Sequence, residues 1–445
     1  MLKILPLAEA DAAIAGLRQR LGLFERQSSA RSAELTRKVF GRALRPAQVV
    51  ELIVNDVRKR GDDAVAEYSL KFDDVLLTPD MFRVGADTIA GAQENAPPEF
   101  LSAVQAAAKN VRAYQQRVLV GDPAPLADGG RRLWRKYSPV GSAACYVPGG
   151  LAPYPSTVVM SAVPAGAAGV PRVAVVTPPR KGKDVDPLVL ATCGVLGVEE
   201  VYRIGGVQAI AAFAFGTQTI EKVDKIVGPG NLFVMLAKKA IYGYADIDLF
   251  AGPSEILVIA DDSANPAYVA ADLLSQAEHD EMASSILVTP SRELAEKVDA
   301  ELEKQLPALS RAETARASLE RFGLAIVASD LDAAVEVAND IAPEHLEVLT
   351  EGEDEVAAKI TTAGAVLIGP WTPEAVGDYV AGSSHILPTG GTARFFSGLS
   401  ANSFLRATSF VKYDQEELAK AQGAIQRIAE AEGYDAHARS ASIRK

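Results

Sequence analysis

Residues 255–261 read EILVIAD, an apolar and β-branched run that ends in a carboxylate. Runs of this kind recur along the chain and alternate with alanine-rich segments of helical periodicity. Strands that are apolar throughout are typical of parallel sheets that helices cover on both faces. The sequence therefore predicts an α/β protein whose further strands are RVAVVTPP (172–179), EVYRIGG (200–206), DKIVGPG (224–230), SSILVTP (284–290), GLAIVAS (323–329) and GAVLIGP (364–370).

These strands form two blocks, of about residues 146–249 and 252–382. Before them, residues 30–120 predict helices, because apolar residues recur there at the spacing of a helix face. After Thr392 the strand pattern is lost, and the chain ends in a helix closed by Gly433. The sequence thus predicts two α/β blocks between helical ends.

The composition excludes several classes of protein. The 57 acidic and 45 basic residues give a net charge of −12, which disfavours a nucleic-acid-binding face. Two cysteines, Cys145 and Cys193, are too few for a disulfide framework and suit a reducing compartment. The longest apolar stretch, Val158–Val176, contains Pro164 and Pro171 and predicts a helix followed by a strand. Because no secretory signal is recognisable, we expect a cytoplasmic protein that binds neither nucleic acid nor membrane.

The chain has only four histidines, so the neighbours of each are informative. Gln276 and His279 share one face of a helix that Asn265 can cap and Pro266 can begin, so both can contact one small object such as a metal ion. A solvated surface histidine is the alternative interpretation. His437 lies near the C-terminus, where a histidine is usually solvated.

The other two histidines have acidic neighbours. Glu344 directly precedes His345, and the two side chains can supply different bases to one site. The alternative is an ordinary helix N-terminus, with Pro343 in the first turn and the glutamate near the positive end of the helix dipole. Asp378 and His385 flank a segment rich in Gly and Ser, which predicts the rim of a site.

The signal for a nucleotide is indirect. Neither G-x-G-x-x-G after a strand nor G-x-x-x-x-G-K-[ST] occurs. Glycine-rich turns do follow strands, in YVPGG (146–150), RIGGVQAI (203–210) and VGPGN (227–231). Such turns let the backbone approach a pyrophosphate at a helix N-terminus, but turns without a ligand use the same residues.

Taken together, the motifs identify a family. From about residue 40 to the C-terminus, and in the family's order, the sequence resembles histidinol dehydrogenases. The resemblance is carried by YVPGG (146–150), GGVQAIAAFAFGT (205–217), KIVGPGN (225–231), DIDLFAGPSEILVIAD (246–261), ADLLSQAEHD (271–280), NDIAPEHLEV (339–348), GDYVAGSSHILPTGGTARF (377–395) and EGYDAHARS (432–440).

The resemblance implies a domain organisation. The fold that the family implies for this chain consists of two incomplete Rossmann-like domains with parallel sheets, similar to those of aldehyde dehydrogenases, and of small helical terminal segments. On this basis we expect residues 145–251 to bind NAD, and residues 29–144 with 252–390 to form a catalytic domain that binds zinc. Residues 1–28 would form an N-terminal helical segment, and residues 391–445 a C-terminal segment that dimerises and crosses to the partner subunit.

The resemblance also implies an activity, the two-step oxidation of L-histidinol to L-histidine with NAD+ by a homodimer that binds one zinc ion per active site. His345 would remove the alcohol proton, and Glu344 would activate water for the second oxidation. The remaining implied roles are zinc and substrate binding by Gln276, His279, Asp378 and His437, further substrate contacts by Ser254, His345, His385 and Glu432, and NAD contacts by Tyr146, Gln208 and Asn231. The partner subunit would supply Glu432 and His437.

Three alternatives stay open at this point. A homologue with the same machinery can act on a different small alcohol, such as a sulfonated diol. A cysteine nucleophile is conceivable at Cys145, beside a glycine-rich turn, although both Cys145 and Cys193 lie in apolar settings where a thiol usually only packs. The third alternative is a non-catalytic protein that kept the fold.

Overall fold

The computed structural model describes residues 1–18, 30–149, 153–180, 184–250 and 252–444. The strands within these residues are β1 (Lys3–Pro6), β2 (Leu126–Asp128), β3 (Arg131–Pro139), β4 (Ser142–Tyr146), β5 (Arg172–Val176), β6 (Glu200–Tyr202), β7 (Lys225–Val227), β8 (Asp246–Ile247), β9 (Glu255–Ala260), β10 (Ser284–Thr289), β11 (Gly323–Val327), β12 (His345–Leu349), β13 (Ala365–Ile368) and β14 (Leu405–Tyr413).

The α-helices of the same residues are α1 (Asp11–Arg18), α2 (Ala30–Phe40), α3 (Pro46–Arg60), α4 (Asp62–Asp73), α5 (Ala86–Glu94), α6 (Pro98–Val118), α7 (Pro155–Ala167), α8 (Pro187–Leu196), α9 (Gly206–Phe215), α10 (Leu232–Ile241), α11 (Pro266–Ala277), α12 (Arg292–Gln305), α13 (Ala312–Phe322), α14 (Leu331–Ile341), α15 (Glu353–Ala357), α16 (Glu374–Tyr379), α17 (Gln415–Ala431) and α18 (Asp435–Ser442). None of them combines the length and apolarity that a membrane span requires.

The first sheet is parallel and has the strand order β6-β5-β4-β7-β8. The chain runs outward from β4 to β6 and then returns to β7 on the other side of β4, which is the order of the Rossmann fold with one strand fewer. Along β4, Ala144 and Tyr146 face α3, α9 and α10, whereas Ala143 and Cys145 face α7 and α8. Because successive side chains of a strand point to opposite faces, burying all four requires helices on both sides.

The second sheet is also parallel, with the order β1-β11-β10-β9-β12-β13. Strands β9 to β13 repeat the order of the first sheet, and β1 extends one edge by pairing with β11. Ile256 and Val258 of β9 contact α11 and α12, while Leu257 and Ile259 contact α14 on the opposite face. Two incomplete Rossmann-like units with parallel sheets are therefore confirmed.

A third, antiparallel sheet has the order β14-β3-β2 and begins the C-terminal arm, which we define as residues 405–444. Strand β14 pairs with β3 along its whole length, and Trp134 stacks on Phe410 with ring centroids 5.0 Å apart. Among the described elements, α17 and α18 pack chiefly against each other. Most of the arm's residues are exposed in a single chain.

The predicted strands of both parallel sheets are confirmed, but the prediction that the chain after Thr392 lacks strands was wrong. Strand β14 was missed because it alternates polar and apolar residues and is exposed, so it has no continuous apolar run. Helix α7 followed by β5 confirms the interpretation of Val158–Val176.

Two groupings along the chain also need correction. Residues 1–28 were expected to be helical, yet Lys3–Pro6 is a strand of the second sheet; residues 19–28 lie outside the described part. Residues 29–144 were grouped with the second sheet, whereas α3 and α4 pack on α9 and α10 of the first. An amphipathic helix shows its apolar stripe in the sequence, but not which sheet receives it.

Candidate active site

The candidate site begins at the amino ends of two neighbouring strands of the second sheet. Glu255 opens β9 and His345 opens β12. The backbone N–H of Glu255 donates to Glu344 Oε2 over 2.9 Å, and the carbonyl oxygen of Glu255 lies 3.3 Å from His345 Nδ1. Ser254 directly precedes Glu255 in the chain. Because residues 345–349 are a strand, the alternative of a helix beginning at Pro343 was wrong.

Helix α16 brings two carboxylates to the ring of His345. Glu374 Oε1 lies 3.3 Å from Nδ1, and Asp378 Oδ1 lies 3.3 Å from Nε2. The two acids are one helical turn apart and so share a face of α16. The nitrogen and oxygen atoms with which His345, Glu374 and Asp378 could bind a metal ion all lie within 4.8 Å of one another. Among the described residues, this is the one group of three or more His, Cys, Asp or Glu side chains that lie so close together.

Helix α11 supplies the predicted metal ligands Gln276 and His279. Asn265 caps this helix through a hydrogen bond from Ala267 N, as predicted. His279 lies just beyond the helix end and is exposed in a single chain. Burial, which the charge of Asp378 opposes, lowers its pKa and so favours the neutral imidazole that metal binding requires.

Gln276 provides the test of whether these residues fit a metal. Its side chain is 1% exposed, and neither atom of its amide has a hydrogen-bond partner in the described residues. A buried polar group without a partner costs about 1–3 kcal/mol. A cation at Gln276 Oε1 would satisfy that oxygen. The residues therefore fit a zinc ion with mixed nitrogen and oxygen ligands.

His385 joins the site to the first sheet. Its Nδ1 lies 3.1 Å from the carbonyl oxygen of Asp378, and Thr157 Oγ1 of α7 lies 3.2 Å from its Nε2. Since a carbonyl only accepts, Nδ1 carries the hydrogen. Burial lowers the pKa of His385, so the ring is neutral and Nε2 accepts from Thr157.

Several titratable groups of the candidate site have shifted pKa values. Burial raises the pKa of Glu344 to about 8. Burial alone would lower the pKa of His345, but the negative charges of Glu374, Glu344 and Asp378 outweigh it and hold the pKa well above the usual value. Burial raises the pKa of Glu374 to about 7. Buried groups with strongly shifted pKa values that lie close together are typical of sites for acid–base chemistry.

The three predicted NAD contacts lie at or beyond the carboxyl ends of strands in the first sheet. The hydroxyl of Tyr146, at the end of β4, accepts from Gly206 N over 3.0 Å. Asn231, after β7, caps α10 by accepting from two backbone N–H groups. Gln208 is 1% exposed, and its Nε2 has no partner among the described residues. Ligands of such sheets bind at this edge, so the residues fit a dinucleotide.

Glycine is required at one of these turns. Gly228 has a φ of 116°, and a Cβ atom there would lie 2.1 Å from the carbonyl oxygen of Tyr146. The glycine-rich turn after β7 is thus needed for close backbone packing at the strand end.

Two predicted site residues are not brought to this cluster within one chain. Glu432 and His437 lie in the C-terminal arm and are exposed. The ring of His437 instead lies 5.2 Å from that of Tyr434. Conversely, the sequence prediction missed Glu374 and Thr157. The one-turn spacing of Glu374 and Asp378 on a short helix was the signal available for the first.

Both cysteines are buried and free. Burial raises the pKa of Cys145 to about 12 and raises that of Cys193 further, so neither thiol ionises near neutral pH. A nucleophilic cysteine needs a lowered pKa and access to substrate. The alternative of covalent catalysis by a cysteine has no support in this geometry.

A pair of carboxyl groups lies beneath the site. Glu347 is on the same face of β12 as His345, is 1% exposed, and neither of its oxygens has a donor in the described residues. Burial and the neighbouring Asp272 of α11 raise its pKa well above the usual value, and burial raises that of Asp272 to about 6. The folded protein therefore favours the protonated pair, and this stability is lost as pH rises through about 6.

We expect Glu347→Gln to stabilise the protein at pH 8 by about 1–3 kcal/mol, because the amide is neutral without taking up a proton and still supplies a donor to Asp272, whereas the buried carboxyl group of Glu347 is held protonated at a cost. At pH 5 the gain should be smaller, since the carboxyl pair is then largely protonated. Urea unfolding at one protein concentration checks this, with the exposed Glu336→Gln of α14 as the matched control. An equal gain at both pH values would contradict the interpretation.

Comparison with known proteins shows which family the chain belongs to. The sequence profile of histidinol dehydrogenases matches residues 42–445. A histidinol dehydrogenase from Rhodopirellula baltica is 47% identical over 437 residues, which cover 98% of this chain and 95% of that protein. Another histidinol dehydrogenase, from Moorella thermoacetica, is 46% identical over 415 residues, which cover 93% of this chain and 98% of that protein.

A solved structure is similar over the full length. The crystal structure of histidinol dehydrogenase from Elizabethkingia anophelis superposes with a TM-score of 0.87 at 35% identity, covering 100% of this chain and 97% of that one. The profile match, the identities and the shared fold lead to one conclusion: the chain is a dehydrogenase and belongs to the histidinol dehydrogenase family.

Proposed function

We propose that the protein oxidises L-histidinol through L-histidinal to L-histidine, the last steps of histidine biosynthesis, with one zinc ion per active site and two NAD+ per turnover. The observation that supports the proposal is the cluster around the buried His345, in which Asp378 Oδ1 lies 3.3 Å from Nε2, Glu344 directly precedes the ring, and His279 and Asp378 act on each other's charge. Family membership supports the substrate.

The zinc site would consist of Gln276, His279 and Asp378, completed by His437 of the partner subunit. When bound, zinc would hold the imidazole and amino nitrogens of the substrate, and NAD+ would accept one hydride in each oxidation. The neutral ring of His279 and the low pKa of Asp378, which its contact with His345 maintains against burial, favour metal binding.

His345 would take the alcohol proton. The carbonyl oxygen of Glu255 lies 3.3 Å from Nδ1 and can only accept, so Nδ1 carries the hydrogen when the ring is in its neutral form, which is the form that acts as a base. Nε2 is then the basic atom, and it faces Asp378. A positioned base of this kind contributes about 10²–10⁴-fold to rate.

Glu344 would serve the second oxidation. The aldehyde must first become a hydrate, which requires a base to take a proton from water. Burial raises the pKa of Glu344 to about 8, which makes its carboxylate a stronger base than an ordinary glutamate and increases its ionised fraction towards pH 8. The backbone N–H of Glu255 holds one of its oxygens in place. Ser254 and His385, next to these groups, would contact the substrate.

The first sheet would bind NAD through Tyr146, Gln208 and Asn231. The α10 N-terminus that Asn231 caps offers backbone N–H groups to a pyrophosphate. Gln208 Nε2, which lacks a partner in the described residues, is available to the dinucleotide.

The active form would be a cytoplasmic homodimer. The exposed C-terminal arm, which carries Glu432 and His437, would cross to the partner and complete its site. Exposed apolar side chains of the arm, Val411 at 70% and Ile428 at 61%, would be covered there.

The proposal predicts two NADH for each L-histidinol when histidinol is limiting and NAD+ is in excess. Removing zinc with a chelator should abolish NADH formation, and adding zinc should restore it. Absorbance at 340 nm, histidine analysis and metal analysis measure these results. One NADH with accumulating aldehyde would contradict the second step, and turnover of small diols without turnover of histidinol would contradict the substrate.

A further inference from the structure

Glu374 has no role in the function proposed so far, yet it is among the most buried acids of the protein, at 2% exposure. Its Oε2 accepts a hydrogen bond of 2.7 Å from Ser275 Oγ. Its Oε1 lies 3.3 Å from His345 Nδ1, a charge contact without hydrogen-bond geometry, and has no hydrogen-bond partner in the described residues. A carboxylate is costly to bury, so a specific interaction is needed to offset that cost.

The backbone contact of Nδ1 indicates which nitrogen of the neutral imidazole carries the hydrogen. Nδ1 lies 3.3 Å from the carbonyl oxygen of Glu255, which can only accept, so Nδ1 is the donor, and Glu374 Oε1 lies beside it at 3.3 Å. The opposite atom, Nε2, lies 3.3 Å from Asp378. The carboxylate of Glu374 thus lies behind the ring, on the side away from the proposed zinc ligand Asp378.

Two elements hold Glu374 in this position. Ser275 is on α11 next to Gln276, and Glu374 begins α16, which also carries Asp378. The carboxylate therefore links the two helices that carry the proposed metal ligands to the ring of His345. Partners that orient a catalytic or metal-binding group typically affect activity about 10–100-fold.

We propose that Glu374 is a positioning residue, whose buried carboxylate beside Nδ1 holds the ring of His345 so that Nε2 faces the alcohol of the substrate. This inference rests on the proposed role of His345 as the base. Glu374 also stabilises the positive charge that the ring acquires when it takes the proton, because an opposite charge nearby favours the charged form.

The test is a double-mutant cycle on the zinc-loaded enzyme with Glu374→Gln and His345→Asn. We expect Glu374→Gln to lower kcat about 10–100-fold with little change in KM or zinc content. A glutamine can turn its N–H towards Nδ1, which would favour the wrong tautomer. In the His345→Asn background, Glu374→Gln should have no further effect, since its action passes through the ring.

A second measurement separates positioning from a general loss of structure. With histidinol deuterated at the carbinol carbon, the isotope effect on kcat should increase in Glu374→Gln, because the oxidation step becomes slower relative to product release. Glu374→Asp should restore part of the rate. The exposed Glu336→Gln is the matched control and should behave as the unaltered enzyme.

Several results would overturn the proposal. Loss of zinc in Glu374→Gln would make Glu374 a metal ligand, as its place within 4.8 Å of His345 and Asp378 allows. Effects that add in the double variant would show that Glu374 acts independently of His345. If His345→Asn alone keeps full activity, the assigned base is wrong, and the proposed function fails in that respect together with this inference.

If Glu374→Gln does not fold, Ser275→Ala provides the same test. That variant removes the hydrogen bond to Glu374 Oε2 and leaves the carboxylate in place. We expect a smaller fall in kcat, which again disappears in the His345→Asn background. A fall of equal size in both backgrounds would contradict the inference.

Discussion

His345→Asn is expected to lower kcat for L-histidinol oxidation by about 10²–10⁴-fold, the contribution of a positioned general base. Asparagine is close to the imidazole in size but cannot accept a proton near neutral pH. KM and zinc content should change little, because Gln276, His279 and Asp378 stay in place. Steady-state NADH formation and metal analysis of the same preparation measure all three quantities.

Structural damage has to be separated from loss of the base. The far-UV circular dichroism and dimer mass of His345→Asn should match those of the unaltered enzyme. A kcat within about threefold of the original would mean that His345 is not the base, since it is below the smallest effect expected of one. Glu344, the neighbouring carboxylate, would then be the first alternative.

The second large effect concerns the C-terminal arm. His437→Ala should abolish zinc retention and activity in the homodimer, because the partner's site would lose a ligand. Subunits with His345→Asn should complement subunits with His437→Ala when the two are unfolded and refolded together. A random mixture should regain roughly a quarter of normal activity, since half of its dimers are mixed and each has one complete site.

A matched pair of variants provides the control for this experiment. His345→Asn and Asp378→Asn both lie in the body of the chain, so their mixed dimers contain no complete site and should stay inactive. Recovery with that pair would show that complementation has another cause. If His437→Ala alone keeps zinc and activity, the arm does not complete a neighbouring site. The exposed positions of Glu432 and His437 in the single chain are the structural reason for the prediction.

The parallel strands were predictable because their signal is local. EILVIAD became β9, and the continuous apolar runs around it became neighbouring strands of the same sheet. Helix α11 began at the Asn265–Pro266 pair for an equally local reason, the capping of free backbone N–H groups. Strand β14 was missed because an exposed strand lacks that apolar run.

The candidate site was predictable only in part. Adjacent residues such as Glu344 and His345 can be recognised as a pair from the sequence alone. The family motifs identified Gln276, His279 and Asp378 as candidate site residues. Glu374 was missed, because its importance arises from a contact with His345, which lies 29 positions away (374 − 345). No local pattern marks a buried glutamate whose partner comes from another element.

By itself, the sequence determined the α/β class, the glycine-rich turns and the adjacency of a carboxylate and an imidazole at Glu344 and His345, because these depend on side-chain periodicity and on backbone geometry within a few residues. The tertiary structure decided that His345 opens β12, where Glu374 and Asp378 of α16 contact its ring. It also decided that α3 and α4 cover the first sheet. The physical reason is that apolar faces of similar character can pack in many arrangements, and only the complete set of contacts selects one of them.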